Sequence, residues 1–272
     1  MPMPSLSNST VAEFFRHVIA ARDNNRFIRR VSRQDKEFHF QNWVQQRLDE
    51  LNVAYEQGGR NSYPDFRIVP VTEGYEIKGL AYPGRDMSFD SNSQVPTGFH
   101  NGRVIYYVFG RYPKEPDGDE YPVTDLVLCH GDFLNADHEY VHKNKSVRGF
   151  GSYGDILIRD RKMYVVPTPF ALASNLAHFF TLVLPAEHTP GEDFEMIGEL
   201  VRIEAPSLVV AYRFDLRTND LTPDTIPNPH AGRKHTFRAW RLRGEAGTRA
   251  VQMTPARAAS APLLDADEAE NE

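Results

Sequence analysis

The chain has a single cysteine, Cys129, among its 272 residues. One thiol excludes an internal disulfide framework and any zinc site built from two or four cysteines of one chain, and it suits a reducing cytoplasm. Long apolar runs are missing too. No stretch approaches the ~18 consecutive apolar residues of a membrane helix, and Met1-Pro2-Met3-Pro4-Ser5 has neither the basic start nor the apolar stretch of a secretory leader. The expectation is a cytoplasmic globular protein with no membrane partner. A dominant charge of one sign is also lacking. The formal net charge is −6, yet Asp265, Asp267, Glu268, Glu270 and Glu272 crowd the end of the chain, so the rest is close to neutral. Phosphate binding depends on where Lys and Arg lie and not on their sum, so a polyanionic partner stays open.

What is present is enough apolar residue, 40%, to bury one sizeable core. From about Gly244 onward the composition turns to Ala, Pro, Thr and acids, which cannot bury enough apolar area to offset ordering entropy. The reading is therefore one domain over 1–244, with its core at about 32–130 and additions at 131–244, followed by a disordered acidic tail over 245–272.

Val11, Phe14, Phe15, Val18 and Ile19 recur at helical spacing and predict a helix from Thr10 to about Asn24, opened by a Thr10/Glu13 capping box. Phe40, Trp43, Val44, Leu48 and Leu51 predict a second over 32–52. Residues 63–69 and 74–78 then read as a β-hairpin turning near Glu73-Gly74. Val104–Phe109 and Asp125–Cys129 are continuous apolar runs of strand length, the pattern of strands covered on both faces. Residues 155–158 and 163–166 flank a basic tip, Arg159–Lys162, as a further hairpin. Ala171–Leu184 reads as a helix, and Glu199–Glu204, Leu208–Phe214 and His235–Leu242 as strands. The fold class is α/β, a central mixed sheet with flanking helices and a β-rich C-terminal part.

The informative stretch is Pro64-Asp65, ten residues, then Glu76-Ile77-Lys78. Side chains alternate along a strand, so Glu76 and Lys78 leave one face while Ile77 points into the core. With Asp65 at the end of the adjoining strand, two carboxylates and the Ile77 carbonyl can hold a hard divalent cation, for which Mg²⁺ is the natural occupant. Such a cation stabilises charge developing at phosphorus and acidifies a bound water, while Lys78 can orient that water and offset charge at the scissile phosphate.

Pro64-Asp65 followed by Glu76-Ile77-Lys78 resembles the PD-(D/E)XK nuclease superfamily, which includes most type II restriction endonucleases; the resemblance covers about residues 32–130. It implies catalytic Asp65, Glu76 and Lys78, with metal held by Asp65, Glu76 and Ile77. A helical Glu before the Pro-Asp segment often completes such a site, and Glu37 fits that place, three before Phe40 and seven before Val44 on the apolar face. An N-terminal Glu favoured by the helix dipole explains it equally. The polar stretch 81–103 supplies candidate DNA contacts, Arg85, Ser91, Asn92, Gln94, Asn101 and Arg103, since Asn and Gln can read adenine, Arg guanine, and Ser a phosphate; a plain solvated loop is the alternative.

The implied function is a Mg²⁺-dependent, sequence-specific endonuclease acting on double-stranded DNA as a homodimer, with a cognate DNA methyltransferase in the same cell. The alternatives are a repair, recombination or modified-DNA nuclease with the same core, and an inert DNA-binding protein. Elsewhere, Cys129, His130, Asp132, Asp137, His138 and His142 could ligate zinc or iron, although no His-Glu-x-x-His occurs and a strand end followed by a polar loop explains them too. The glycines of 149–154 precede a hairpin and not a helix, which argues against a phosphate loop. His235, Arg238, Arg241 and Arg243, interleaved with Phe237 and Trp240, could grip a phosphate backbone or form an amphipathic edge strand.

Overall fold

The computed structural model describes residues 9–30, 36–58, 62–84, 86–92, 95–142, 145–148, 152–160, 163–218, 220–245 and 249–255. Helices α1 (Val11–Asp23) and α2 (Lys36–Glu50) flank a short strand, β1 (Ile28–Arg29). Both helical stripes are buried, Val11, Phe14, Phe15, Val18 and Ile19 on α1 and Phe40, Trp43, Val44 and Leu48 on α2. The capping box does not form. Thr10 instead gives its hydroxyl and its backbone N–H to Glu73 Oε2, at 2.6 and 3.1 Å, because a buried carboxylate must collect donors.

Eight strands follow up to residue 130: β2 (Tyr55–Gln57), β3 (Phe66–Ile68), β4 (Glu73–Tyr82), β5 (Ser88–Asn92), β6 (Phe99–His100), β7 (Arg103–Pro113), β8 (Glu120–Tyr121) and β9 (Asp125–His130). The second half holds β10 (Glu139–His142), β11 (Lys145–Arg148), β12 (Leu157–Asp160), β13 (Met163–Pro167), a short helix α3 (Pro169–Leu172), β14 (Ala173–Ser174), β15 (Phe180–Pro185), β16 (Phe194–Ile203), β17 (Ser207–Asp215), β18 (Asp220–Pro227), β19 (Lys234–Leu242) and β20 (Gln252–Met253).

A nine-stranded mixed sheet organises these elements, in the order β16-β19-β15-β9-β7-β4-β3-β2 with β6 pairing the start of β7. β4 runs parallel to β7 and β9 parallel to β15, while the other neighbours are antiparallel. The fold is thus α/β with a central mixed sheet. One face, carrying Tyr75, Ile77, Tyr106, Val108, Leu126 and Leu128, packs under α1 and α2. The other, carrying Leu80, Tyr107, Phe109, Val127 and Cys129, packs against Phe89, Val166 and Phe170. Both faces being covered, β9 and β15 are buried at every residue and β7 at all but its ends, which is why β7 and β9 read as unbroken apolar runs. Gly110 lets α2 approach: a Cβ there would lie 2.1 Å from the Phe40 ring.

Several sequence expectations need correction. The 63–78 hairpin is present as β3 and β4, but its turn spans residues 69–72 and Glu73 already belongs to β4. The 155–166 hairpin is present as β12 and β13; its tip residues Arg161 and Lys162 lie outside the described residues. Ala171–Leu184 is no helix. Asn175 and His178 take positive φ, at 63° and 65°, which ends helical propagation, and the following Phe180–Pro185 run pairs as a central strand. The polar stretch 81–103 is no open loop either, because β5 adds to β13 in a three-stranded sheet with β12. The stripe at 235–243 is β19, an interior strand between β16 and β15 and not an edge.

Residues 249–255, which composition assigns to a disordered tail, pack on the fold. Val251 is buried against β16, where its carbonyl lies 2.1 Å from a Cβ built on Gly198, and β20 pairs with β14. Backbone pairing and one apolar anchor hold a segment whose average composition is that of a disordered chain. The acidic cluster at 265–272 falls outside the described residues. Among the described residues, no helix is long and apolar enough to cross a membrane.

Candidate functional site

Asp65 lies immediately before β3, and the β3–β4 register pairs Phe66 with Tyr75. One step further in the same register sets Asp65 opposite Glu76, so the two carboxylates share a face. The contact is locked by a hydrogen bond in which the Ile77 N–H donates to Asp65 Oδ2 at 2.7 Å. A strand residue sends its N–H and C=O to the same edge, so the Ile77 carbonyl also leaves β4 on the Asp65 side. Lys78, two residues beyond Glu76 on the same face, reaches Glu76 Oε1 at 3.0 Å. Its ammonium also stands 5.8 Å from the Phe89 ring centroid. Ile77 is buried under the helices. Asp65, Glu76 and Lys78 therefore converge at one corner of the sheet, with two carboxylates and one carbonyl as hard oxygen donors and one cation beside them.

Tyr107 on β7 sits next to Glu76 in the parallel register and shares a hydroxyl contact of 2.9 Å with Tyr63. Burial first, then the proximity of Tyr63 and Glu76, pushes the Tyr107 phenol well above its usual range. It stays protonated and adds no charge to this corner.

The remaining candidates are placed differently. Glu37 lies in α2, which packs on the face opposite Glu76 and Lys78; its side chain falls outside the described residues, as do Arg85, Gln94 and the side chain of Asn92. Ser91 belongs to β5, paired with Tyr164. Arg103 holds the β3–β4 turn, donating to the carbonyls of Ile68 at 2.7 Å and Val71 at 3.3 Å. Asn101 has φ 48° and forms the β6–β7 turn with Gly102, its side chain against His100 at 2.9 Å. These two residues hold turns at the start of β7.

The Gly149–Gly154 segment falls partly outside the described residues, but Ser152 within it is fully buried, donating to Asn135 Oδ1 at 2.8 Å and accepting from the Ala136 N–H at 2.9 Å. It is a lock for the chain after β9. Within the basic stripe on β19, Arg241 is structural: it is buried, donates to the Asn175 carbonyl at 2.7 Å and stacks 3.8 Å from the Phe179 ring. Burial lowers its guanidinium to about 10.

Sequence reasoning missed a second convergence. His138 and His235 each bring Nε2 to Glu204 Oε1, at 2.6 and 2.7 Å, and Glu204 is fully buried. Burial would raise the Glu204 carboxyl, but hydrogen bonds from His235, His138 and Asn228 outweigh it and hold the group below the usual carboxylate range. These residues come from three distant segments, and only the histidines stood out in the sequence, in two separate clusters. Cys129 of the first cluster is buried in the sheet core, where burial pushes its thiol well above the ordinary value. The side chain of His142 lies outside the described residues.

Comparison with known proteins finds no matching family model, no matching curated protein and no matching solved structure.

Proposed function

We propose that the chain is a Mg²⁺-dependent, sequence-specific endonuclease of the type II restriction kind, hydrolysing phosphodiester bonds in double-stranded DNA. The observation that carries this reading is the 2.7 Å bond from the Ile77 N–H to Asp65, which draws the Pro64-Asp65 and Glu76-Ile77-Lys78 halves of the motif into one corner. The donor set fits the ion: two carboxylates and a carbonyl are hard oxygen ligands of the kind magnesium takes, leaving positions for water.

In this reading Asp65, Glu76 and the Ile77 carbonyl hold the metal. Bound there, magnesium supplies charge stabilisation at phosphorus and a more acidic water. Lys78, paired with Glu76 at 3.0 Å, presents a compact cation to the attacking water and the scissile phosphate. Phe89 shields one side of that ammonium, which keeps the charge directed. A homodimer would match a two-fold DNA site, a cognate methyltransferase would protect the host, and a reducing cytoplasm suits the lone buried Cys129.

A nuclease of the same core acting in repair, recombination or on modified DNA is the second reading. It is favoured by Arg103 and Asn101, two base-reading candidates that serve backbone turns instead. Plasmid DNA with Mg²⁺ separates the two: discrete fragments support restriction, a smear supports the second reading, and a gel shift without cleavage leaves a binding protein. Asp65→Ala and Glu76→Ala are each expected to slow cleavage at least a thousandfold, about 4 kcal/mol, while retaining DNA binding. Cleavage by either variant above a tenth of the wild-type rate would discard this metal site.

A further inference from the structure

A second donor set lies across the sheet from the first, beside β16 and β19. β9 ends at His130, β16 ends just before Glu204, and β19 begins at Lys234, so three chain segments meet there. His138, Glu204 and His235 each offer one ligand atom, all within 4.8 Å of one another. His138 and His235 line a cavity of about 870 Å³, together with Asp132, Asp137, Glu187, Arg233 and Lys234. We propose that His138, Glu204 and His235 form a divalent transition-metal site, with zinc as the preferred ion and a coordination position open to this cavity.

The donor chemistry argues for zinc over magnesium. Two imidazole nitrogens and one carboxylate oxygen make the three-ligand set of sites that leave a fourth position to water or a ligand. Magnesium takes oxygen donors, so the hairpin corner and this trio select different ions.

The surrounding groups hold the ligands in place before any ion arrives. Asn228 Nδ2 donates to the other carboxylate oxygen, Glu204 Oε2, at 3.2 Å and to the Ala205 carbonyl at 2.9 Å, which fixes the carboxylate plane. The His230 ring stacks on His138 with centroids 4.0 Å apart, and the Tyr153 ring meets His235 edge-on at 5.8 Å. Tyr153 is itself tied by a hydroxyl bond to the Asp132 carbonyl at 2.6 Å and covered by the Arg202 guanidinium at 4.2 Å. Outer groups of this kind orient metal-binding histidines and carboxylates. The cavity is large enough for a small ligand, and its wall carries both signs of charge, Arg233 and Lys234 with Asp132, Asp137 and Glu187.

The test uses the full, untagged chain, stripped with chelator and titrated with ZnCl₂ and separately with MgCl₂ by calorimetry, with CoCl₂ as a visible-absorption probe. The expected result is one zinc per chain, cobalt bands of a low-coordinate N/O site, and at least a hundredfold weaker zinc binding in His138→Ala and in His235→Gln. Both positions are partly exposed, so these variants test the site without emptying the buried Glu204 position. Glu76→Gln, on β4 with β7, β9 and β15 between it and β19, should keep the zinc. Absence of stoichiometric zinc, zinc retained by both histidine variants, or zinc lost in Glu76→Gln would each overturn the proposal; the first would leave a hydrogen-bonded His-Glu-His cluster with no ion.

Discussion

The β3–β4 corner and the His138/Glu204/His235 cluster gather charged side chains on the same sheet by opposite means. Asp65, Glu76 and Lys78 are close in sequence, and a single hairpin with one side chain to backbone bond sets their geometry. Glu204 is joined by residues 66 and 31 positions away, and its carboxylate accepts from three side chains inside the fold. Local geometry makes the first site depend on two strands, whereas the second depends on the whole C-terminal half. The first should survive distant damage that dismantles the second.

The largest effect expected is at the support for the hairpin half. Arg111 at the end of β7 is buried between Asp86 and Asp125, with both contacts at 2.9 Å, and its guanidinium lies 4.3 Å from the rings of Tyr82 and Phe170. Arg111→Ala leaves two buried carboxylates without their cation, so unfolding in denaturant should show a loss of about 3–5 kcal/mol. A loss under about 1 kcal/mol would mean that water reaches these carboxylates and that the hairpin half is less rigid than its geometry indicates.

Next in size is a pH effect at the cavity. Burial lowers His130 to about 4, whereas burial, and then the charge of Asp137, raises Asp132 to about 6. The Asp132 N–H donates to His130 Nδ1 at 3.2 Å, which requires that nitrogen to be unprotonated. As pH falls from 6.5 toward 4, the unfolded chain protonates His130 first, and the native state loses about 3 kcal/mol. Over about the same range the native state protonates Asp132 first and gains a similar amount, so the two nearly cancel. Asp132→Asn removes only the gain. With chelator present, the variant should lose about 3 kcal/mol more than wild type between pH 7 and 4, read from denaturant midpoints at each pH. Parallel curves would show that His130 and Asp132 do not carry opposing shifts.

The same contrast explains how far the sequence could be read. Asp65, Glu76 and Lys78 were legible because strand alternation and hairpin pairing are short-range rules that act on neighbouring residues. The unbroken apolar runs of β7 and β9 announced a doubly covered sheet for the same reason. Glu204 left no signal, since it looks like any strand-end acid until β19 and the segment after β9 fold beside it. Thr10 misled for a related reason: its local partner Glu13 lost to Glu73, sixty-three residues away. Residues 171–184 failed because Asn175 and His178 take left-handed backbone conformations that apolar periodicity does not register. On β19, the charge of Arg241 suggested a surface although the side chain is buried.

The smallest effect concerns where the C-terminal half ends. Past residue 255 the composition is rich in Ala and acids and poor in aromatics, so ending the chain there should leave the unfolding free energy unchanged within about 0.5 kcal/mol. Ending it after residue 244 removes Val251, whose side chain is 1% exposed. It also removes the bonds from Val251 N–H to the Ile197 carbonyl at 2.9 Å and from Thr254 N–H to the Leu172 carbonyl at 2.8 Å. Burying one valine is worth about 2 kcal/mol, and that is the loss expected for the shorter chain. Because β20 rests on β14 and beside β16, the strand that leads to Glu204, this truncation should weaken the proposed zinc binding while leaving the proposed magnesium-dependent cleavage within about twofold, about 0.4 kcal/mol. Equal loss of both would show that the two halves of the sheet are one cooperative unit and that the local site is no more independent than the distant one.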